Sequence, residues 1–153
     1  MAKQRKKGWY FPVPVPSQVI NFRTPTLSAG QTDYYPLNCV TTDSNSYSAD
    51  PTDKESEDAA PEQVMVFAQA GTLRLMRLDT RSAIAADQSV TVTIVCNGVE
   101  SDIVIVLGED DTEGDDTTHE LKIPARAWVA IKAVSVGAGC QFSGSIVFYP
   151  DPE

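Results

Sequence analysis

The chain has 153 residues, 42% of them hydrophobic, and a formal net charge of −9. That length suffices for one compact domain, and the apolar content is too high for a chain disordered throughout. No apolar run approaches the roughly 20 residues a membrane-spanning helix needs. An acidic body repels nucleic acid, which argues against duplex binding by the folded part.

Basic residues crowd the start: Lys3, Arg5, Lys6 and Lys7. No apolar segment follows them, so no signal peptide is expected. Instead come Trp9-Tyr10-Phe11 and the alternation Pro12-Val13-Pro14-Val15-Pro16. Each proline fixes its own φ and restrains its predecessor, which favours extended chain. Met1–Gln18 therefore reads as an extended N-terminal arm. Aromatic side chains beside a stiffened segment suit an anchor, because they supply contact area while the prolines reduce the entropy lost on docking. Lys3, Arg5, Lys6, Lys7, Trp9, Tyr10, Phe11, Pro12 and Pro14 are the candidate anchor residues. The basic ones would meet an acidic surface or nucleic acid. The competing reading folds the aromatics back onto the chain's own core.

Val19–Arg23 and Tyr34–Thr41 are candidate strands, and the polar, acidic stretch Thr42–Ala60 reads as a long loop. From residue 62 onward the pattern is β. Val64–Ala68 and Thr72–Leu78 come first. In Ser89–Cys96, Val90, Val92, Ile94 and Cys96 alternate with Ser89, Thr91 and Thr93, the period of a half-buried strand. Asn97-Gly98 then predicts a tight hairpin, since both residues tolerate positive φ. The return strand Ile103–Leu107 is apolar at every position and is expected to be covered on both faces. Gly108–Asp116 reads as an acidic loop, and Thr117–Ile123 as a short strand that Pro124 ends. Trp128–Val136 and Gln141–Tyr149 close the domain, with Phe142, Ile146 and Phe148 on one face of the last strand. No window shows helical periodicity, and Ser82–Gln88 could form one helical turn at most. The fold class is all-β, an antiparallel jelly roll or β-sandwich built from Val19–Glu153, with its core pattern in residues 62–150.

Chemistry-bearing motifs are sparse. The three cysteines, Cys39, Cys96 and Cys140, are too far apart for a CxxC site and too few for a disulfide framework, so buried reduced thiols are expected. The one histidine, His119, has no Gly-x-Ser-x-Gly nucleophile to serve and reads as a surface residue. The acids Glu109, Asp110, Asp111, Glu113, Asp115 and Asp116 lack the spacing of an EF-hand, and a solvated acidic loop is preferred to a Ca²⁺ site. No catalytic residue, metal or cofactor is expected.

From Val64 onward, several features appear in a fixed order: Gly71-Thr72-Leu73, the alternating Val90–Cys96, the Asn97-Gly98-Val99 hairpin, the acidic Gly108–Thr118, Val129–Gly139 and Gln141–Phe148. That order resembles a phage-type, tumour-necrosis-factor-like jelly roll of the capsid decoration (cement) protein family. The resemblance implies a homotrimer that binds and stabilises a capsid, with the major capsid protein as partner and the virion, assembled in the host cytoplasm, as its location. A trimer interface would use one apolar sheet face, for which Trp128, Phe142, Ile146 and Phe148 are candidates. The fold alone does not assign a role. The alternative is a fibre knob or tail-tip module recognising host glycan or protein, with Thr42–Ala60 and Gly108–Asp116 as its contact surface. A carbohydrate-active enzyme would need paired carboxylates across a cleft, and here the acids cluster in loops.

Overall fold

The computed structural model describes residues 16–27, 29–38, 64–137 and 140–152. Among them are nine strands and no helix: β1 (Gln18–Arg23), β2 (Thr32–Pro36), β3 (Met65–Val66), β4 (Gly71–Thr80), β5 (Ser89–Cys96), β6 (Val99–Leu107), β7 (Glu113–Ile123), β8 (Trp128–Val136) and β9 (Phe142–Pro150). All pairings are antiparallel. One sheet has the order β1-β9-β4-β7. The second has the order β2-β8-β5-β6, with β3 also paired to β8. The two sheets pack as a sandwich around one core, to which β1 and β9 contribute Ile20, Phe22, Phe142, Ile146 and Phe148. β5, β6 and β8 contribute Val92, Ile94, Ile103, Ile105 and Ile131.

The wiring is nested. With the two-residue β3 set aside, the first strand pairs with the last, the second with the second-last, and so on inward to the hairpin β5–β6. At that hairpin Asn97 and Gly98 both take positive φ, 49° and 84°, as a primed turn demands. The Asn97 side chain also works, since its Oδ1 accepts the Trp128 N–H at 3.0 Å and so ties the turn to the start of β8. Glycine is required at Gly144 for a different reason. A Cβ there would press into the Arg77 carbonyl and the Phe22 ring, so the close approach of β9 to β4 and β1 depends on its absence.

Two expectations are corrected. Ile103–Leu107 is not covered on both faces. Ile103, Ile105 and Leu107 are buried, but Val104 and Val106 are 38% and 61% exposed, because they point away from the core on edge strand β6. The acidic segment is mostly not a loop either. β7 begins at Glu113, four residues before the predicted start, and only residues 108–112 form the connection. β4 is the strand partner of β7, with Arg77 in register opposite Asp115 and 2.7 Å from Glu113.

Strand β4 carries a bulge at Leu75, which sits in the left-handed region at φ 58°. That conformation is unfavourable for a residue with a Cβ and persists only where neighbours enforce it. Across from it, β7 runs from Asp116 to Glu120 while β4 runs only from Met76 to Arg74, so β7 bulges as well.

Candidate functional site

The predicted anchor, Lys3 to Pro14, lies outside the described residues, as do Cys39 and the Thr42–Ala60 segment. The four predicted interface residues divide. Phe142, Ile146 and Phe148 are 1%, 0% and 4% exposed within a single chain. Their rings and branches fill the inter-sheet core, with Phe142 edge-on to Phe22 at 6.4 Å and Phe148 against Phe67 at 4.7 Å. Side chains already covered by their own subunit offer no area to another, so these three are core residues. Trp128 is half-buried, and alternation along β8 turns it away from the core.

Strand register sorts the outward residues of each sheet into transverse rows. Across the four-stranded sheet these read Val19–Val147–Arg74–Glu120, Asn21–Ser145–Arg77–Asp115 and Arg23–Ser143–Asp79–Glu113, followed by Tyr149–Thr72–Lys122. Basic and acidic residues balance there, four of each. Arg77 lies 2.7 Å from Glu113 and 3.7 Å from Asp79. Arg74 stacks over the Tyr149 ring at 5.3 Å, and Lys122 donates to Thr72 Oγ1 at 2.9 Å.

Across the other sheet the rows are Thr32–Val134–Thr91–Val106, Tyr34–Lys132–Thr93–Val104 and Pro36–Ala130–Val95–Glu100, with Val66–Trp128 and Ser89–Val136 at the ends. The only charges in these rows, Lys132 and Glu100, pair with each other at 2.5 Å. Tyr34, Thr93, Val95 and Ala130 are buried, whereas Val104 and Val106 on β6 and Val136 at the end of β8, with β5 between them, are exposed, as is Asp102 beside Val104.

Where the sheets meet, at the β6 and β7 edges, Asp116 forms a clasp. Its carboxylate is 5% exposed. Oδ2 accepts the Val104 N–H of β6 at 3.2 Å, and Oδ1 accepts the N–H groups of Thr118 and His119 at 3.1 and 3.0 Å. His119 Nδ1 lies 2.9 Å from Oδ2; a carboxylate only accepts, so that nitrogen donates. Burial pushes the Asp116 carboxyl up, but these donors outweigh it and hold it down at about 2. The bulge in β7 thus supplies the amides that hold the carboxylate, and the carboxylate ties together the edges of the two sheets. His119, read from sequence as a surface residue, is half-exposed but engaged in this brace.

The loop at 108–112 is knit by its own acids: Asp111 Oδ2 accepts the Gly108 N–H at 2.7 Å. The Asp110 N–H donates to the Ile84 carbonyl at 2.8 Å, and the Ile84 N–H to the Asp111 carbonyl at 3.1 Å. Cys96 is buried, Cys140 is half-buried and both are free thiols, and burial raises the pKa of each.

A cleft of about 340 Å³ opens at the end of the four-stranded sheet, between Arg23, Asp79, Arg81, Gln141 and Ser143. It was not legible from the sequence, in which Arg23 and Arg81 are 58 positions apart and only the β1–β9–β4 pairing brings them together. No protein-family model matches the chain, and no curated protein matches it.

Proposed function

We propose that the protein is a non-enzymatic capsid decoration protein that assembles as a trimer, binds a viral capsid and acts mechanically. The nested strand wiring supports a jelly roll, an architecture that recurs in viral capsid and lectin domains. The observation that carries the reading is the contrast between the two outer faces. The four-stranded sheet shows water a charge-balanced lattice, whereas the other sheet exposes Val104, Val106 and Val136 with fewer charges around them, the Lys132–Glu100 pair and the exposed Asp102 of β6, on a protein whose net charge is −9. Exposed apolar patches on such a background suit association. The trimer contact is assigned to Val104, Val106 and Val136, in place of the core residues Phe142, Ile146 and Phe148.

In this reading the arm, with its basic residues and Trp9-Tyr10-Phe11, fastens the trimer to the capsid, and three arms on one body bind with avidity. Removing Met1–Pro16 tests the arm in a co-sedimentation assay with virions. Loss of particle binding by a chain that still folds supports the anchor, and undiminished binding refutes it.

A further inference from the structure

We propose that the cleft at the β1–β9–β4 end of the four-stranded sheet binds an acidic saccharide. Its carboxylate would lie between Arg23 and Arg81, and its hydroxyls would meet Asp79, Ser143 and Gln141. The inference stands whether or not the protein attaches to a capsid.

The cleft follows from strand register. Arg23, Ser143 and Asp79 occupy one transverse row on β1, β9 and β4. Neighbouring strands lie about 4.8 Å apart, so the long outer side chains stand roughly 10 Å from each other with only the short Ser143 between them. Arg81 continues from the end of β4 and forms the remaining wall. The volume falls within the span of about 300–1,000 Å³ typical of small-ligand sites.

The walls are pinned. Arg23 Nη2 donates to Gln141 Oε1 at 3.4 Å, and Gln141 Nε2 donates to the Thr24 carbonyl at 2.9 Å, so one amide both orients the guanidinium and fixes itself to the backbone. The Thr24 N–H donates to the Phe142 carbonyl at 3.0 Å, joining the end of β1 to β9. On the other side, the Thr80 N–H and hydroxyl both donate to the Thr112 carbonyl, at 2.8 and 3.1 Å, which fixes the backbone just before Arg81.

The charges select the ligand. Among the described residues neither Arg23 nor Arg81 forms an ion pair, whereas the other arginine at this end, Arg77, is paired with Glu113. Two guanidiniums facing one cleft match a carboxylate, which each can bind through paired N–H donors. The single acid in the cleft, Asp79, would repel a bare anion of high charge density but accepts hydrogen bonds from hydroxyls. A ligand with one carboxylate and several hydroxyls satisfies both, and inorganic phosphate satisfies only the arginines.

NMR titration of the full-length protein tests this, with methyl glucuronide as probe and methyl glucoside and inorganic phosphate as controls. Saturable shifts at the Arg23, Arg81 and Ser143 amides are expected with the glucuronide, and binding at least tenfold weaker with either control. Arg81→Ala, at an exposed position, should leave the spectrum's dispersion intact and weaken glucuronide binding about ten- to a hundred-fold, the loss typical of hydrogen bonds to a charged group. Equal binding of the glucoside or of phosphate would overturn the proposal. So would the absence of saturable shifts, or an Arg81→Ala protein that binds undiminished.

Discussion

The outward faces of the two sheets are built from the same kind of strand, yet they have opposite chemistry. On the four-stranded sheet every row that crosses β4 and β7 carries charge, and each arginine or lysine has an acidic, hydroxyl or aromatic neighbour. On the other sheet the rows are mostly valine, threonine, alanine and tyrosine, with one internal ion pair and the exposed Asp102 of β6 beside them. A strand exposed to water on one side needs only alternation, and polar residues satisfy that at no cost. Keeping isoleucine and leucine at the inward positions and valine at the outward positions of an edge strand invites pairing and association unless a partner covers it. In the proposed reading, the first face is the solvated one and the second is the contact face.

The sharpest way to break that comparison is to show that the core and the contact face have been confused. Phe142→Ala should cost about 3–5 kcal/mol in chemical denaturation of the isolated chain, because the ring is fully buried between the sheets and leaves a cavity. A loss under 1 kcal/mol would mean that the ring is not core.

Next in size is the clasp that joins the two edges. Asp116 is ionised in the folded state down to about pH 2 and has an ordinary value of 3.8, so its stabilisation is complete above about pH 4 and fades as pH falls through 2. The shift corresponds to about 2 kcal/mol. Asp116→Asn should remove that amount at pH 7 and flatten the stability curve between pH 4 and 2. An unchanged acid limb in the variant would contradict the clasp.

The smallest effect belongs to the solvated lattice. Arg77→Ala breaks a 2.7 Å contact between two well-exposed side chains, and such pairs contribute about 0–1 kcal/mol. Its loss should be small and should shrink further in high salt. A cost above 2 kcal/mol would show that this face, too, has a structural task.

Local pattern carried much of the architecture. Trp128–Val136 is found as read, β5 turns Val90, Val92, Ile94 and Cys96 into the core as expected although Thr93 and Val95 are buried too, and Asn97-Gly98 turns where two positive φ values are cheap. What failed did so for identifiable reasons. Valine favours strands whichever way it points, so an outward Val104 and Val106 on an edge look the same in sequence as a strand covered on both sides. Glu113–Asp116 reads as loop by polarity alone, since β4, the strand it pairs with, lies about forty residues earlier. The clasp at Asp116 and the cleft between Arg23 and Arg81 depend on register between distant strands, and single-chain periodicity has no access to that.

The central claim, that the charge-poor sheet is where copies of this protein meet, is tested most directly by sedimentation velocity of the wild type and of Val106→Asp. Val106 is exposed, so the substitution should change the stability of one subunit by less than about 1 kcal/mol. The account predicts a trimeric wild type and a folded, monomeric variant. A wild type that sediments as a monomer, or a Val106→Asp protein that remains trimeric, would contradict it.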